Sequence, residues 1–241
     1  MAEQLTMDEF FGDQKIGALS EPHLACLLLL DVSFSMYGPA LKSLRSAIIR
    51  FKKNVMKDPV ASKRVDVALV TFSSEVKVIN DFCPIGELPS PTLKASGNTE
   101  TAKGIQVAID LVKKRTHLYQ SFGTPCYKPW IFMITDGQSS SSPEEMAEAA
   151  RRIHEEEESG SHGRLTFWAL GTDTYDSEEL FQLTDRVMEL KDQDFSGIFD
   201  WLSESMSTLS QSHVGERIET DNLPTNARIA QKNRKINEDW Q

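Results

Sequence analysis

The sequence lacks several features that would assign it to common functional classes. It has no excess of basic residues, since its formal net charge is −10. Nonspecific nucleic-acid binding depends on Lys and Arg that neutralise phosphates, so we expect no direct nucleic-acid partner. No basic amino-terminal segment leads into an apolar core, and the longest apolar run, Leu24 to Leu30, is too short to span a membrane. We therefore expect neither secretion nor membrane insertion.

Cysteines and enzyme motifs are also scarce. The three cysteines, Cys26, Cys83 and Cys126, have no paired spacing, which favours a reducing compartment and predicts a cytoplasmic protein. The chain contains no G-x-x-x-x-G-K-[ST], no G-x-G-x-x-G after a strand and no G-x-S-x-G. Its five histidines are scattered without zinc spacing. Nucleotide, esterase and zinc chemistry therefore lose support.

A polar cluster stands where the first predicted strand ends. The apolar run Leu24 to Leu30 is followed directly by Asp31, Ser33 and Ser35, and a helix pattern begins at Pro39. Strands that alternate with helices form α/β sheets, which bind ligands just beyond the carboxyl ends of the strands. Oxygen donors with little total charge suit a hard divalent cation. We expect magnesium here, with manganese and calcium as alternatives.

Two later segments supply further oxygen donors. Gly97-Asn98-Thr99 precedes a helix pattern and offers a hydroxyl at the bend. A second apolar strand, Trp130 to Thr135, ends in a carboxylate, Asp136. Thr101, at the start of the helix, is an alternative to Thr99. The predicted metal site consists of residues on three loops: Asp31, Ser33, Ser35, Thr99 and Asp136.

This order of motifs, D-x-S-x-S, then T, then D, resembles the metal-ion-dependent adhesion site of the von Willebrand factor A family. The resemblance spans about Leu24 to Ser210. It implies that the two serines and Thr99 are hydroxyl ligands, and that the two aspartates ligate the metal or hold its water molecules. Phe34 and Asn98 stand where the family frequently has glycine. Neither is a metal ligand, but an exposed Phe34 would border the metal.

Three segments look like the bacterial TerY type within this family: Leu93 to Thr99, Lys128 to Gly137, and Phe167 to Gly171. This resemblance implies a cytoplasmic, non-enzymatic module. Proteins of this type are often encoded beside a Ser/Thr kinase and a PP2C-like phosphatase, in gene sets with inferred stress, tellurite-resistance-like or defence roles.

The predicted fold class is α/β, a Rossmann-like, doubly wound and mostly parallel sheet with helices on both faces. One antiparallel edge strand is expected, because only Ser73-Ser74 separates the strand Val65 to Phe72 from the strand Glu75 to Ile79. Val187 to Leu190 is predicted as an edge strand. We divide the chain into an amino-terminal segment, 1–22, a von Willebrand factor A domain, 23–212, and a polar tail, 213–241.

Helix ends and the tail complete the prediction. The helix after the first strand is expected to end near Asp58, and a later helix to span Thr101 to Lys114, followed by irregular structure to Pro129. The segment Val214 to Gln241 has no sustained apolar period and is predicted as a flexible tail. A local basic patch lies within it: Arg228, Lys232, Arg234 and Lys235.

The predicted function is metal-dependent binding of a protein partner that presents an Asp or Glu. A haloacid-dehalogenase-like phosphatase is an alternative, since it also places an aspartate after an apolar strand and binds magnesium. That mechanism needs a second acid two positions after the nucleophile, where this chain has Ser33. A structural scaffold with a vestigial metal site is the other alternative.

Overall fold

A seven-stranded sheet organises the computed structural model, which describes residues 19–159, 164–172, 175–216 and 223–230. Within these residues the strand order is β3-β2-β1-β4-β5-β6-β7. The strands are β1 Leu24–Asp31, β2 Val65–Phe72, β3 Val76–Pro84, β4 Trp130–Thr135, β5 Thr166–Thr172, β6 Val187–Leu190 and β7 Ala227–Ile229.

The sheet is mostly parallel, as predicted. β1 pairs in parallel with β2 and β4, and the parallel pairing continues through β5 to β6. The predicted antiparallel edge strand is confirmed as β3, which pairs with β2. The chain leaves β1 towards β2 on one side and returns to β4 on the other. This reversal places a topological switch point between the carboxyl ends of β1 and β4.

The described helices are α1 Pro39–Val55, α2 Ala61–Arg64, α3 Thr101–Ser121, α4 Pro143–Glu158, α5 Ser177–Leu183 and α6 Ser196–Gln211. Two 3-10 turns, Phe34–Met36 and Ile85–Glu87, supplement them. None of the helices in the described ranges is long and apolar enough to cross a membrane.

The helices cover both faces of the sheet, which confirms the doubly wound class. Alternate residues of β1 point to opposite faces: Leu24, Cys26, Leu28 and Leu30 pack with α1 and α6, whereas Ala25, Leu27 and Leu29 pack with α3, α4 and α5. A strand buried on both faces has no polar face, which explains its continuous apolar run.

Two predicted helix ends are corrected. The helix α1 ends at Val55, and a separate turn, α2, follows it. The helix α3 continues to Ser121, beyond the predicted end at Lys114. The polar sequence after Lys114 hides this extension, because Arg115 and Tyr119 are buried against the sheet through an ion pair and a hydrogen bond rather than through apolar side chains.

The end of the sheet also differs from the prediction. β6 is not an edge strand, because β7 pairs antiparallel with it and forms a second antiparallel edge. The prediction that the chain beyond Val214 is a flexible tail is therefore wrong for Ala227–Ile229. A three-residue strand is too short to show a period in the sequence. In the predicted basic patch, Arg228 forms an ion pair with Glu189 at 2.8 Å. The other three residues of the patch, Lys232, Arg234 and Lys235, lie outside the described ranges, as do residues 1–18. The domain boundaries stay a prediction.

Candidate metal centre

The carboxyl ends of β1 and β4 place two of the predicted site residues side by side. The two strands are paired in parallel up to Leu30 and Ile134. The next residue of β1 is Asp31, and β4 continues through Thr135 to Asp136. Both aspartates are buried. Adjacent parallel strands thus bring together two carboxylates that are 105 positions apart in the numbering, 136 minus 31.

Both oxygens of the Asp31 carboxylate accept hydrogen bonds. The backbone N–H of Ser33 donates to Oδ1 at 2.7 Å, and the hydroxyl of Thr135 donates to Oδ2 at 2.7 Å. Burial raises the pKa of Asp31 above its ordinary value; the bonds from Ser33 and Thr135 oppose this rise, and the nearby charge of Asp136 adds to it. Because each oxygen accepts a hydrogen bond, the side chain of Asp31 is held in one orientation.

Thr135 is a site residue that the sequence analysis missed. It is the last residue of a strand that is otherwise apolar, so a hydroxyl at that position was the available signal. Its bond to Asp31 joins the first and last of the predicted loops.

A chain of hydrogen bonds links the remaining groups of these two loops. The hydroxyls of Ser33 and Ser35 lie 2.9 Å apart, and the Ser35 hydroxyl donates to Oδ1 of Asp136 at 2.6 Å. Ser33 and Asp136 are buried, whereas Ser35 is exposed. The structure thus connects Asp31, Ser33, Ser35 and Asp136, and the chain of oxygens opens to solvent at Ser35.

Thr99 reaches the same edge of the sheet through its backbone. Its carbonyl accepts from the N–H of Ser140 at 2.8 Å and from the hydroxyl of Ser139 at 3.2 Å. Its own N–H donates to the hydroxyl of Ser140 at 3.2 Å. These bonds fasten the Thr99 loop to the segment that follows Asp136. The hydroxyl of Thr101 lies 3.5 Å from the Thr99 carbonyl, and the choice between the two threonines stays a prediction.

Gly97 ties the Thr99 loop to the first loop. The Phe34 N–H donates to the Gly97 carbonyl at 3.0 Å, and the Ser96 N–H donates to the Val32 carbonyl at 2.8 Å. Gly97 has φ +75°, and a Cβ there would lie 2.4 Å from the hydroxyl oxygen of Ser74. Both the backbone conformation and the available space therefore require glycine.

The serine segment 139–142 positions the surrounding helices and loops. The Ser142 hydroxyl and Glu145 form a capping box that starts α4. The Ser141 hydroxyl accepts from the N–H of Ala102 at 3.1 Å and so serves the first turn of α3. The Ser139 N–H donates to the Glu179 carboxylate at 3.1 and 3.2 Å. Ser141 and Glu179 act through contacts with residues far away in the sequence, so no local sequence pattern could have predicted their roles.

The donor set fits a hard divalent cation. It combines two carboxylates with serine hydroxyls, all of them oxygen, which is the chemistry that magnesium, manganese and calcium prefer. In the described part of the chain, no group of three or more His, Cys, Asp or Glu side chains could hold a metal ion. A tetrahedral site of nitrogen and sulfur ligands therefore has no support in these residues.

The topology and the polar strand ends define an α/β domain with a candidate ligand site at its topological switch point. Residues 26–138 match the sequence model of the von Willebrand factor type A domain. The match and the fold together identify a von Willebrand factor type A domain in this chain, which confirms the predicted resemblance at that level. A comparison with curated protein sequences finds no significant match.

Several solved structures share the fold. A von Willebrand factor type A protein from Catenulispora acidiphila has a TM-score of 0.53 and 16% identity, over 78% of this chain and 42% of its own. The PilB minor pilin from Streptococcus sanguinis has a TM-score of 0.54 and 12% identity, over 78% and 62%. Proximal thread matrix protein 1 from the mussel byssus, solved with a zinc-occupied MIDAS motif, has a TM-score of 0.51 and 17% identity, over 79% and 46%. The match spans less than two thirds of each of these proteins, and at such identities the likeness concerns the fold.

Proposed function

We propose that this protein is a non-enzymatic module that binds another protein through a divalent metal ion. The metal would be held by the five predicted residues: Asp31, Ser33, Ser35, Thr99 and Asp136. The hydrogen-bonded chain from Ser33 through Ser35 to Asp136 carries the proposal, because it gathers oxygen donors from two strand ends at a solvent-open position. Magnesium is the expected ion, with manganese and calcium as alternatives. The mussel protein with zinc at its MIDAS motif supports a metal role for this fold.

The buried and the exposed residues of the candidate metal centre have different roles in this proposal. Asp31 is fully buried and both its oxygens already accept hydrogen bonds, so it contributes negative charge and holds the first loop. Ser35 is exposed and stands between Ser33 and Asp136, where a ligand can approach from solvent. When bound, the metal supplies an exchangeable coordination position that an Asp or Glu of the partner can fill.

The site offers poor support for catalysis. As a nucleophile Asp31 would have to leave its buried hydrogen bonds, and the position of the general acid in a haloacid-dehalogenase-like phosphatase is Ser33, whose backbone N–H holds Asp31. A serine hydroxyl has no pKa suited to that role. We keep this phosphatase, and a scaffold with a vestigial metal site, as the alternatives that the experiments below separate.

The biological setting follows from the TerY-type resemblance alone. We propose a bacterial stress, tellurite-resistance-like or defence system in which the partner is a Ser/Thr kinase or a PP2C-like phosphatase. A cytoplasmic location agrees with three cysteines that form no disulfide bond.

The first test measures metal binding through stability. Magnesium or manganese at about a hundred times its dissociation constant should add roughly 2.7 kcal/mol to the free energy of unfolding. The Asp136→Ala variant should lose this response and keep the circular dichroism of the parent, because Asp136 lies beyond a strand end. Asp110→Ala removes an exposed carboxylate on α3 and should keep the response. An Asp136→Ala variant that responds like the parent would refute the site.

A second test assigns the threonine. Thr99→Ala should weaken the metal response, and Thr101→Ala should leave it. If Thr101→Ala abolishes the response and Thr99→Ala does not, the ligand is Thr101.

The third test addresses the partner. We would recover bound proteins from a bacterial lysate on the immobilised full chain in magnesium, in EDTA, and on the Asp136→Ala variant. A partner should be retained only in magnesium by the parent. Equal recovery in all three would refute metal gating and favour the scaffold. Phosphate release from a generic phosphoester that depends on Asp31 would instead favour the phosphatase.

A further inference from the structure

Two aromatic side chains beside the candidate metal centre are unusually exposed. Phe34 and Tyr37 are each 71% exposed, whereas the next most exposed large hydrophobic side chain among the described residues, Ile229, is 50% exposed. Large apolar groups exposed together mark interaction sites more often than isolated ones do. We call Phe34 and Tyr37 the aromatic pair.

The backbone holds the aromatic pair in place. The N–H of Met36 donates to the Ser33 carbonyl at 3.1 Å and that of Tyr37 to the Phe34 carbonyl at 3.0 Å, which closes a 3-10 turn. The Met36 side chain is fully buried and anchors this turn in the core. The Phe34 N–H is bonded to Gly97, so the turn is also tied to the neighbouring loop. Little backbone freedom therefore remains in this turn for a partner to remove.

The two rings form one surface. Their centroids lie 6.1 Å apart, and their planes differ by 10°. Each ring thus covers part of the other, and the remaining faces and edges stay in water. Phe34 lies between Ser33 and Ser35 in the chain, so this apolar surface starts next to the exposed Ser35 of the candidate metal centre.

We propose that the aromatic pair is the second half of the binding site, and that it receives an apolar side chain next to the partner's acidic residue. The inference rests on the proposed function, because the acid is placed by the metal. In an extended segment each residue advances about 3.4 Å and alternate side chains share a face. The apolar side chain therefore lies within two positions of the Asp or Glu, and two positions away where the segment is fully extended. A net charge of −10 disfavours further acids around it.

An apolar neighbour fits better than a basic one. Removal of ring surface from water is favourable in proportion to the apolar area covered, whereas a cation over an exposed ring keeps most of its own hydration. The partner segment thus contains one acid, an apolar residue within two positions, and few other acids.

The experiment selects random linear peptides, displayed on phage, on the immobilised full chain in magnesium, with release by EDTA. The expected peptides carry an Asp or Glu with Leu, Met, Ile, Phe, Tyr or Trp within two positions. Acidic peptides with no such neighbour, or with Arg or Lys enriched there, would overturn this inference and leave the proposed function standing. If no peptide depends on magnesium, the proposed function fails and this inference fails with it.

Variants then locate the contact. Tyr37→Ser and Phe34→Ser should each weaken binding of the selected peptide about tenfold or more, and both should keep the magnesium-dependent rise in melting temperature. Tyr37 lies outside the D-x-S-x-S motif, so its variant still tests the proposal if Phe34→Ser disturbs the turn. The control is Phe122→Ser, which removes a phenylalanine 48% exposed at the other end of α3. An affinity for the peptide that is unchanged in Tyr37→Ser, or reduced equally in Phe122→Ser, would overturn the inference.

Discussion

Replacement of Asp66 by Asn should strongly destabilise the protein without affecting the metal centre. Asp66 is buried in β2, and its Oδ2 accepts from His23 at 2.9 Å, from Arg115 at 2.8 Å and from the Tyr119 hydroxyl at 2.5 Å. Arg115 is itself fully buried. The Asn side chain has a similar shape but no charge, so the guanidinium of Arg115 would remain in the interior without the negative charge of Asp66.

The magnitude follows from this loss of charge. Removal of one partner from a buried ion pair costs about 3–5 kcal/mol. The ring centroids of Phe82 and Tyr119 lie 5.7 and 5.0 Å from the guanidinium carbon of Arg115. Both rings would still stabilise the Arg115 cation in the variant. We therefore expect the lower end, about 3 kcal/mol, which for a domain of this size lowers the melting temperature by about 6–12 °C.

Urea unfolding followed by tryptophan fluorescence measures this loss, and a second substitution tests its cause. Arg115→Met, added to Asp66→Asn, removes the buried charge that has lost its Asp66 partner and should recover about 1 kcal/mol or more. A cost below about 1 kcal/mol for Asp66→Asn, or additive costs in the double variant, would refute the reasoning. The magnesium response should persist in both variants, because Asp66 is far from the candidate metal centre. It pairs with Ala25 near the start of β1, whereas Asp31 is the last residue of that strand.

Three further predictions concern pH, a cap and a glycine. Burial raises the pKa of Asp66, but the bond from His23 and the charge of Arg115 outweigh it and lower that pKa below its ordinary value. The ionised Asp66 carboxylate thus stabilises the fold fully above about pH 4, and this contribution is lost as the pH falls further. The free energy of unfolding, measured by equilibrium unfolding, should therefore fall less below about pH 4 for Asp66→Asn than for the parent. Ser142→Ala should cost about 1 kcal/mol in thermal unfolding, because it removes the cap of α4, with the magnesium response retained. Gly97→Ala should cost about 1–3 kcal/mol and weaken the magnesium response, because φ is +75° and Ser74 blocks a Cβ; an unchanged response would show that the Thr99 loop tolerates the shift.

The order of elements was readable from the sequence where each element carried its own local signal. β1 and β4 are continuous apolar runs, α1 has an apolar stripe, and Ser142-Pro143 starts α4 through a cap and a proline. Such signals arise within a few residues, since the period of side-chain burial and the needs of a helix end are local. The site residues were proposed in the same way, as polar side chains at strand ends.

Elements stabilised by distant contacts could not be read in this way. The last turns of α3 depend on the pairing of Arg115 and Tyr119 with Asp66, and β7 exists through its pairing with β6. Neither contact leaves a periodic pattern, because the partner that makes the polar or short segment favourable lies in another part of the chain.

The sequence by itself determined the α/β class, and it predicted the oxygen chemistry of the candidate metal centre and the loops that would contribute to it. Only the tertiary structure decided that the hydroxyls of Ser33 and Ser35 and the carboxylate of Asp136 form one hydrogen-bonded chain, and that Thr135 holds Asp31 behind it. It also decided that Phe34 and Tyr37 stack in solvent. The physical reason is that residue types and local periods follow from neighbours along the chain, whereas distances between strand ends follow from the pairing of β1 with β4.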